Sequence, residues 1–379
     1  MGVSERAYYF DWVRILVILV LVPFHGAITF TAVGDCFIKH PQSGPVFDTA
    51  LGIMAGWVMP LLFVVAGAAS CYALQHRTWW QYERERRLKL LIPFFAGFLL
   101  IVPPMTYLGA RFNGTFGGNL LEFYPRFFTS GVAPKGYLNW GHFWFLIYLY
   151  TFSVILLPVF VRMLRPAARA SIAGASAILE RGPWVYLLAV PLMLSETLLR
   201  PLFPSYYNLV WDWANVAMFL ALMLYGFLFA LNARIMDNVK RMRAGSLLLA
   251  LALTAVPVGL RAAGITEALR PALPGTAWGG LLLVAWILAA LGYARAYLNR
   301  RMRFYDYLQA NAYPFFVLHY LPVTAAAYCI ARWDLDVWLK YLLIVVLAYA
   351  ATFALCEILR RIPGVRLLLG ARRPSPSAA

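Results

Sequence analysis

Apolar stretches long enough to cross a membrane recur from one end of this chain to the other. Each is close to the ~20 residues that an α-helix needs to span a hydrocarbon core. The composition agrees, since only 13% of the residues are charged, against about 25% in soluble domains. The sequence therefore predicts an all-α polytopic membrane protein. We place ten transmembrane helices, at about 10–33, 48–73, 89–109, 142–161, 184–203, 211–231, 245–264, 274–295, 311–331 and 338–359.

The formal net charge of +17 is distributed unevenly between the two sides of the membrane. When loops are assigned alternately, roughly three quarters of the 33 Lys and Arg residues fall on the side of the N terminus. This positive-inside pattern predicts that both termini are cytoplasmic, and that the charge sets topology and does not bind nucleic acid. We predict a single transmembrane domain over 1–379, with a short disordered tail at about 371–379.

The first span, "FDWVRILVILVLVPFHGAITF", contains Asp11, Arg14 and His25. His25 follows Arg14 by eleven positions, so both lie on one helix face, about 16 Å apart along the axis. Asp11 precedes Arg14 by three residues and is placed to pair with it. Anchoring at the membrane edge would explain Asp11 and Arg14. His25 is too deep for that, and a buried ionisable residue that accepts protons near neutral pH indicates a functional site.

A basic cluster, Arg84, Arg86, Arg87 and Lys89, leads into the third span in "YERERRLKLLIPFF". An ordinary positive-inside loop is one explanation. The other is a site for a phosphorylated cytoplasmic ligand, because Arg side chains match phosphate geometry. Coenzyme A would fit such a site.

Four further polar or aromatic residues are candidates for a site. His319 lies inside the ninth span, where a packed neutral histidine is the alternative. Glu357 lies near the end of the last span and is spaced to pair with the arginines that follow it. His142 and Trp144 stand at the outer start of the fourth span; they either line an acceptor site or, for Trp144, anchor the interface.

Several motifs are missing from the sequence. No paired cysteine spacing indicates zinc or redox chemistry, and a disulfide between Cys36 and Cys329 stays open. No Walker loop, His-Glu-x-x-His or Gly-x-Ser-x-Gly motif occurs. We therefore expect no metal and no permanently bound cofactor.

Several segments resemble the acyltransferase-3 family of integral membrane O-acyltransferases. "YYFDWVRILVILVLVPFHGA" is similar to the opening of that family, whose first helix carries Arg, ten residues and then His. "MPLLFVVAGAAS" matches the Pro-x-x-Phe-x-x-x-Gly pattern of its second helix, and "GHFWFLIYLY" and "NAYPFFVLHYLPV" resemble two later segments. The ending "CEILRRIPGVRLLLG" resembles the subgroup called glucans biosynthesis protein C, which succinylates periplasmic glucans.

One segment departs from the family pattern. The family carries Arg-x-x-Arg before the proline of the third helix, with the second Arg four residues ahead of it. Counted back from Pro93, these positions are Arg86 and Lys89, whereas Arg84 and Arg87 have the spacing but not the register. At the second of these positions, Lys89 keeps the positive charge of the family's arginine but lacks the planar guanidinium that binds a phosphate through two parallel hydrogen bonds.

The resemblance implies transfer of an acyl group, acetyl or succinyl, from cytoplasmic acyl-CoA to a hydroxyl of an extracytoplasmic polysaccharide, glucan or other glycan. It places the protein in the bacterial cytoplasmic (inner) membrane. His25 would act as general base, Arg14 and Asp11 would support the donor, and the basic cluster would bind its phosphates along a polar channel. A transporter that uses the Arg14–His25 stripe as a relay is the alternative. The oligomeric state, a homo-oligomer included, stays open.

Overall fold

The computed structural model describes residues 7–32, 36–42, 44–205, 207–264 and 276–370. Within those ranges the chain is helical and forms no strand. The α-helices are α1 (Tyr8–Ile28), α2 (Pro45–Ala55), α3 (Val58–Leu74), α4 (Trp79–Leu100), α5 (Val102–Phe112), α6 (Leu120–Thr129), α7 (Trp144–Ile155), α8 (Leu157–Met163), α9 (Pro166–Ser176), α10 (Ala189–Leu194), α11 (Trp213–Leu231), α12 (Ala233–Ala262), α13 (Ala277–Tyr297), α14 (Tyr305–Leu318), α15 (Tyr320–Ile330), α16 (Val337–Leu359) and α17 (Pro363–Leu368). The predicted tail at 371–379 lies outside the described residues.

The helices confirm an all-α polytopic membrane protein. In the described part of the chain, 8 helical stretches are long and apolar enough to cross a membrane. The number rises to 10 if each of two bent helix pairs is counted as one span. The bent pairs are Gly141–Ile155 with Leu157–Met163, at 52°, and Tyr305–Leu318 with Tyr320–Ile330, at 56°. The fourth and ninth spans, predicted as continuous helices, are therefore broken.

Prolines account for both breaks. A proline lacks the N–H that would bond to the carbonyl four residues earlier, and its ring clashes with that carbonyl. The fourth span breaks at Leu156, just ahead of Pro158, and the ninth breaks at His319, just ahead of Pro322. Pro322 therefore helps to place His319 at a joint between two helices.

Three other prolines lie inside helices that stay continuous, and at each of them an aromatic side chain replaces the lost backbone donor. In each case the carbonyl four residues before the proline accepts a hydrogen bond from a neighbouring helix, as expected for tolerated prolines in membranes. For Pro23, the Tyr349 hydroxyl donates to the Leu19 carbonyl oxygen at 2.7 Å. For Pro93, the Tyr313 hydroxyl donates to the Lys89 carbonyl oxygen at 2.5 Å. For Pro257, the Trp278 indole N–H donates to the Leu253 carbonyl oxygen at 3.1 Å.

The described residues pack as two compact units, and the first takes in 7–14, 53–85 and 148–305. In this unit α3 lies against α11. A Cβ atom at Gly67 of α3 would overlap the carbonyl oxygen of Met223, so glycine lets the two backbones meet. One turn earlier, Phe63 stacks on Phe219 with ring centroids 4.4 Å apart. The Phe-x-x-x-Gly part of the family pattern thus serves helix packing.

The second unit takes in 15–52, 86–147 and 306–370. It holds most of α1 together with α5, α14, α15 and α16. Here α15 packs between α5 and α16. α16 also lies against α1, where a Cβ atom at Gly26 would come within 3.2 Å of Val345. The single-domain organisation stays a prediction.

Candidate active site

Three histidines from three separate elements meet in the second unit. His25 lies in the last two turns of α1, His142 in the 3-10 turn ahead of α7, and His319 at the joint between α14 and α15. The ring centroids of His25 and His319 are 5.3 Å apart, and those of His142 and His319 are 5.0 Å apart. The structure thus brings together three of the residues that the sequence singled out.

Local backbone geometry positions His142. The preceding residue, Gly141, has φ +50°, a conformation that glycine adopts without steric cost. Its N–H donates to the Asn139 Oδ1 at 3.0 Å, which secures the turn. The chain then enters the 3-10 turn with His142 buried, at 5% exposure.

Two of the histidines are held in defined tautomers by backbone carbonyls. His142 Nε2 lies 3.1 Å from the Val317 oxygen, and His319 Nδ1 lies 2.8 Å from the Phe316 oxygen. A carbonyl oxygen only accepts, so each of these ring nitrogens must carry the proton and donate it. The other nitrogen of each ring, His142 Nδ1 and His319 Nε2, is therefore an acceptor when the ring is neutral.

Those acceptor nitrogens, together with His25 Nδ1, are buried and have no hydrogen-bond partner among the described residues. Buried polar atoms are normally paired, so an unpaired group in a native structure calls for an explanation. Three such nitrogens in one cluster indicate a place that receives a hydroxyl group, a water or a proton. Within the described ranges, no group of three or more His, Cys, Asp or Glu side chains is arranged to hold a metal ion.

Tyr320 is part of this cluster, and the sequence reasoning missed it. Its ring stacks on His25 with centroids 3.9 Å apart and an interplanar angle of 21°. Its hydroxyl donates to Cys36 Sγ at 3.9 Å, a long contact. The only signal in the sequence was its position directly after His319.

The cysteine beside the histidine cluster, Cys36, is a poor alternative nucleophile. All four are free, so Cys36 and Cys329 do not form a disulfide in this structure. Cys36 lies nearest the histidines, next to Tyr320. Burial raises the pKa of the Cys36 thiol, so the thiol stays protonated and is a poor nucleophile at neutral pH.

Asp11 and Arg14 belong to the first unit, where they form the predicted ion pair at 3.0 Å. Tyr305 donates from its hydroxyl to the Asp11 Oδ2 at 2.6 Å. With both oxygens engaged, Asp11 fixes the direction of the Arg14 guanidinium. The pair is partly exposed, with Arg14 at 35% and Asp11 at 21% side-chain exposure.

The basic cluster lies on α4 and divides by exposure. Arg86 and Lys89, the residues favoured by register, are half-buried, whereas Arg84 and Arg87 are exposed. In the second unit, Tyr313 of α14 donates to the carbonyl oxygen of Lys89 at 2.5 Å. This bond holds α14 against the part of α4 that carries Arg86 and Lys89.

The remaining candidates lie in different surroundings. Glu357 pairs with Arg360 at 2.6 Å and with Arg361 at 3.7 Å, as its spacing predicts. Trp144 is partly exposed and contacts Phe145, with ring centroids 6.2 Å apart.

A narrow cleft lies in the second unit between α1, α14 and α16, with an accessible volume of about 10 Å³, room for about one water molecule. Side chains that line it include Ile15, Ile18, Leu19, Asn311, Phe315 and Phe353. The sequence predicted a polar channel that Arg14 and His25 both line; neither residue lines this cleft, and the channel stays a prediction. The cleft is apolar except for one buried amide, because α1 faces it with isoleucine and leucine.

Membrane-spanning helices with a buried cluster of acceptor nitrogens define an integral membrane protein with a candidate acid–base site. A family model described as an acyltransferase domain matches residues 7–361, nearly the whole chain. The chain therefore belongs to the acyltransferase-3 family, and the protein is a membrane acyltransferase. No curated protein and no solved structure gives a significant match.

Proposed function

We propose that this acyltransferase moves an acyl group from cytoplasmic acyl-CoA to a hydroxyl group of an extracytoplasmic carbohydrate, with His25 as the general base. The observation that carries the proposal is the cluster of His25, His142 and His319, whose unpaired nitrogens are all potential acceptors. O-acylation requires such an acceptor, because the attacking hydroxyl must lose its proton.

His25 is the least buried member of the cluster. It is partly exposed, whereas His142 and His319 are 5% and 0% exposed. Stacking on Tyr320 fixes the plane of the His25 ring.

The reaction balances without a further reagent. The acceptor oxygen attacks the thioester carbonyl carbon as His25 takes the hydroxyl proton. The C–S bond then breaks, and the proton passes from His25 to the departing CoA thiolate. The products are an ester and free CoA.

On the donor side, Arg86 and Lys89 would bind the CoA phosphates. Both side chains are half-buried, so part of each remains accessible to a ligand, and a charged hydrogen bond to phosphate is stronger than a neutral one. The positive-inside pattern predicts that these residues lie on the cytoplasmic side, where acyl-CoA is found. Asp11 and Arg14 would support the donor. A glucan or other glycan as acceptor, acetyl or succinyl as the acyl group and the bacterial inner membrane as location complete the proposal.

The transporter alternative has no comparable support. A proton or ion relay needs ionisable groups in series, and Arg14 is engaged by Asp11 in an ion pair. Membership of an acyltransferase family also offers it no support.

The test uses the purified full-length chain in lipid nanodiscs with acetyl-CoA or succinyl-CoA and a periplasmic glucan. Free thiol and the mass of the glucan are measured together. We expect thiol release that depends on the glucan and equals the ester formed. Failure of both donors to release thiol would overturn the proposal, and glucan flux into proteoliposomes without thiol release would favour the transporter.

A further inference from the structure

Thr29, four residues after His25, has a buried hydroxyl that makes no hydrogen bond among the described residues, although the residue is only 1% exposed. A serine or threonine in a helix commonly donates to the carbonyl oxygen four residues earlier. Five other buried hydroxyls in the described helices do so, at 2.6 to 3.0 Å: Ser70, Thr106, Ser153, Thr324 and Thr352. In the described part of the chain, no other serine or threonine has a buried hydroxyl without a partner.

The end of α1 holds Thr29 in place through its backbone. The helix ends at Ile28, and the carbonyl oxygen of Thr29 accepts a hydrogen bond from the His40 N–H at 2.8 Å. The Thr29 side chain lies beside the thiol of Cys36, which is only a weak hydrogen-bonding group. The position of Thr29 is therefore fixed, while its hydroxyl proton can turn towards a stronger acceptor.

Thr29 and His25 face the same side of the chain. They are four positions apart across the last turn of α1, which places their Cβ atoms about 5–6 Å from each other. Side chains on a helix tilt towards its N terminus, so Thr29 lies over the turn that carries His25. A group that reacts at His25 is thus within reach of the Thr29 hydroxyl.

Acyl transfer needs a hydrogen-bond donor as well as a base. When the acceptor hydroxyl attacks, negative charge develops on the carbonyl oxygen of the thioester, and a positioned donor in a water-excluded site stabilises it. The other two histidines of the cluster cannot serve while neutral, because His142 and His319 each donate their one N–H to a backbone carbonyl. The Thr29 hydroxyl is a buried donor beside the proposed base.

We propose that the Thr29 hydroxyl donates a hydrogen bond to the thioester carbonyl oxygen in the transition state of acyl transfer. This inference rests on the proposed function and adds to it the group that stabilises the oxyanion. Thr29 keeps its proton throughout. The C–O bond forms and the carbonyl electron pair moves onto the oxygen that Thr29 holds. The pair then returns as the C–S bond breaks and the sulfur takes the proton from His25.

The test is the steady-state kinetics of the full-length protein in nanodiscs, with the same acyl donors and glucan. Thr29→Val removes the hydroxyl and keeps the branched shape. We expect kcat to fall roughly 100- to 1,000-fold, as for one lost oxyanion donor, with KM unchanged for both substrates because the bond forms only in the transition state. Thr29→Ser keeps the hydroxyl and should recover most of the rate. The pH midpoint of kcat should be the same in Thr29→Val as in wild type, because the hydroxyl acts on the carbonyl oxygen and not on His25.

Two further variants guard against a folding artefact. Thr352→Val removes a buried hydroxyl elsewhere in the second unit, where it bonds to the Ala348 carbonyl oxygen, and should leave kcat unchanged. Thr29→Ala removes the hydroxyl without adding a methyl group in its place and should be as slow as Thr29→Val.

Three results would overturn the proposal: a wild-type kcat in Thr29→Val and Thr29→Ala, a Thr29→Ser variant as slow as Thr29→Val, or a shifted pH midpoint, which would mean that the hydroxyl acts through His25. Absence of acyl-CoA consumption by wild type would overturn the proposed function and this inference with it. Normal turnover that does not depend on the Thr29 hydroxyl would remove only the role of Thr29.

Discussion

Tyr349→Phe should destabilise the protein by removing the donor that compensates for Pro23. The Tyr349 hydroxyl donates to the Leu19 oxygen at 2.7 Å, and Pro23 has no N–H to take its place. Leaving a buried acceptor unpaired costs about 1–3 kcal/mol in proteins generally. In membrane proteins, measured contributions of hydrogen bonds between helices average about 0.6 kcal/mol, with a maximum near ~1.7 kcal/mol. We expect a loss of about 1–2 kcal/mol in the free energy of unfolding.

A double-mutant cycle with Pro23→Ala tests the reason for this loss. Alanine restores an N–H that can bond to the Leu19 oxygen, so Tyr349→Phe should cost about 1 kcal/mol less in that background. Unfolding free energies would be measured in bicelles by steric trapping. Tyr341→Phe is the control, because its hydroxyl donates to the carbonyl of residue 23, which Pro23→Ala leaves in place. Equal costs of Tyr349→Phe in both backgrounds would refute the compensation argument.

Two further predictions concern the donor site and the helix packing. Neutralising Arg86 and Lys89 together to Gln should weaken acyl-CoA binding by roughly tenfold or more, as expected for lost charged hydrogen bonds, while the same change at Arg84 and Arg87 should have a smaller effect. Isothermal titration calorimetry would measure the acyl-CoA affinity of both double mutants. A larger loss of affinity for the Arg84 and Arg87 double mutant would show that the register counted back from Pro93 is wrong. Gly67→Ala should lower the unfolding free energy by about 1–3 kcal/mol, because its methyl group would meet the Met223 backbone. A stability equal to wild type would contradict the close approach.

The sequence predicted the number of spans well, because length and apolar composition alone decide whether a helix can cross a membrane. It did not predict which prolines break a helix. Pro23 is tolerated because Tyr349, 326 residues away in the chain, supplies a donor, whereas Pro322 coincides with a joint. That difference depends on tertiary neighbours, which hydropathy does not record.

The site was predictable only in part for the same reason. His25 stood out because a lone histidine deep in an apolar helix is unusual. The convergence of His142 and His319 was not predictable, since the bond between His142 and the Val317 carbonyl joins positions 175 residues apart. Tyr320 gave no signal, because a tyrosine in a membrane helix has many ordinary roles.

The central claim is that His25 takes the proton of the acceptor hydroxyl. The most direct measurement is the rate of acyl transfer by His25→Ala under saturating acyl-CoA, with donor affinity measured in parallel. His76→Ala, at an exposed histidine in the first unit, is the control. We predict that His25→Ala remains folded, binds the donor as wild type does and transfers acyl groups at least roughly 100-fold more slowly. Transfer by His25→Ala at a rate near that of wild type and His76→Ala would contradict the account.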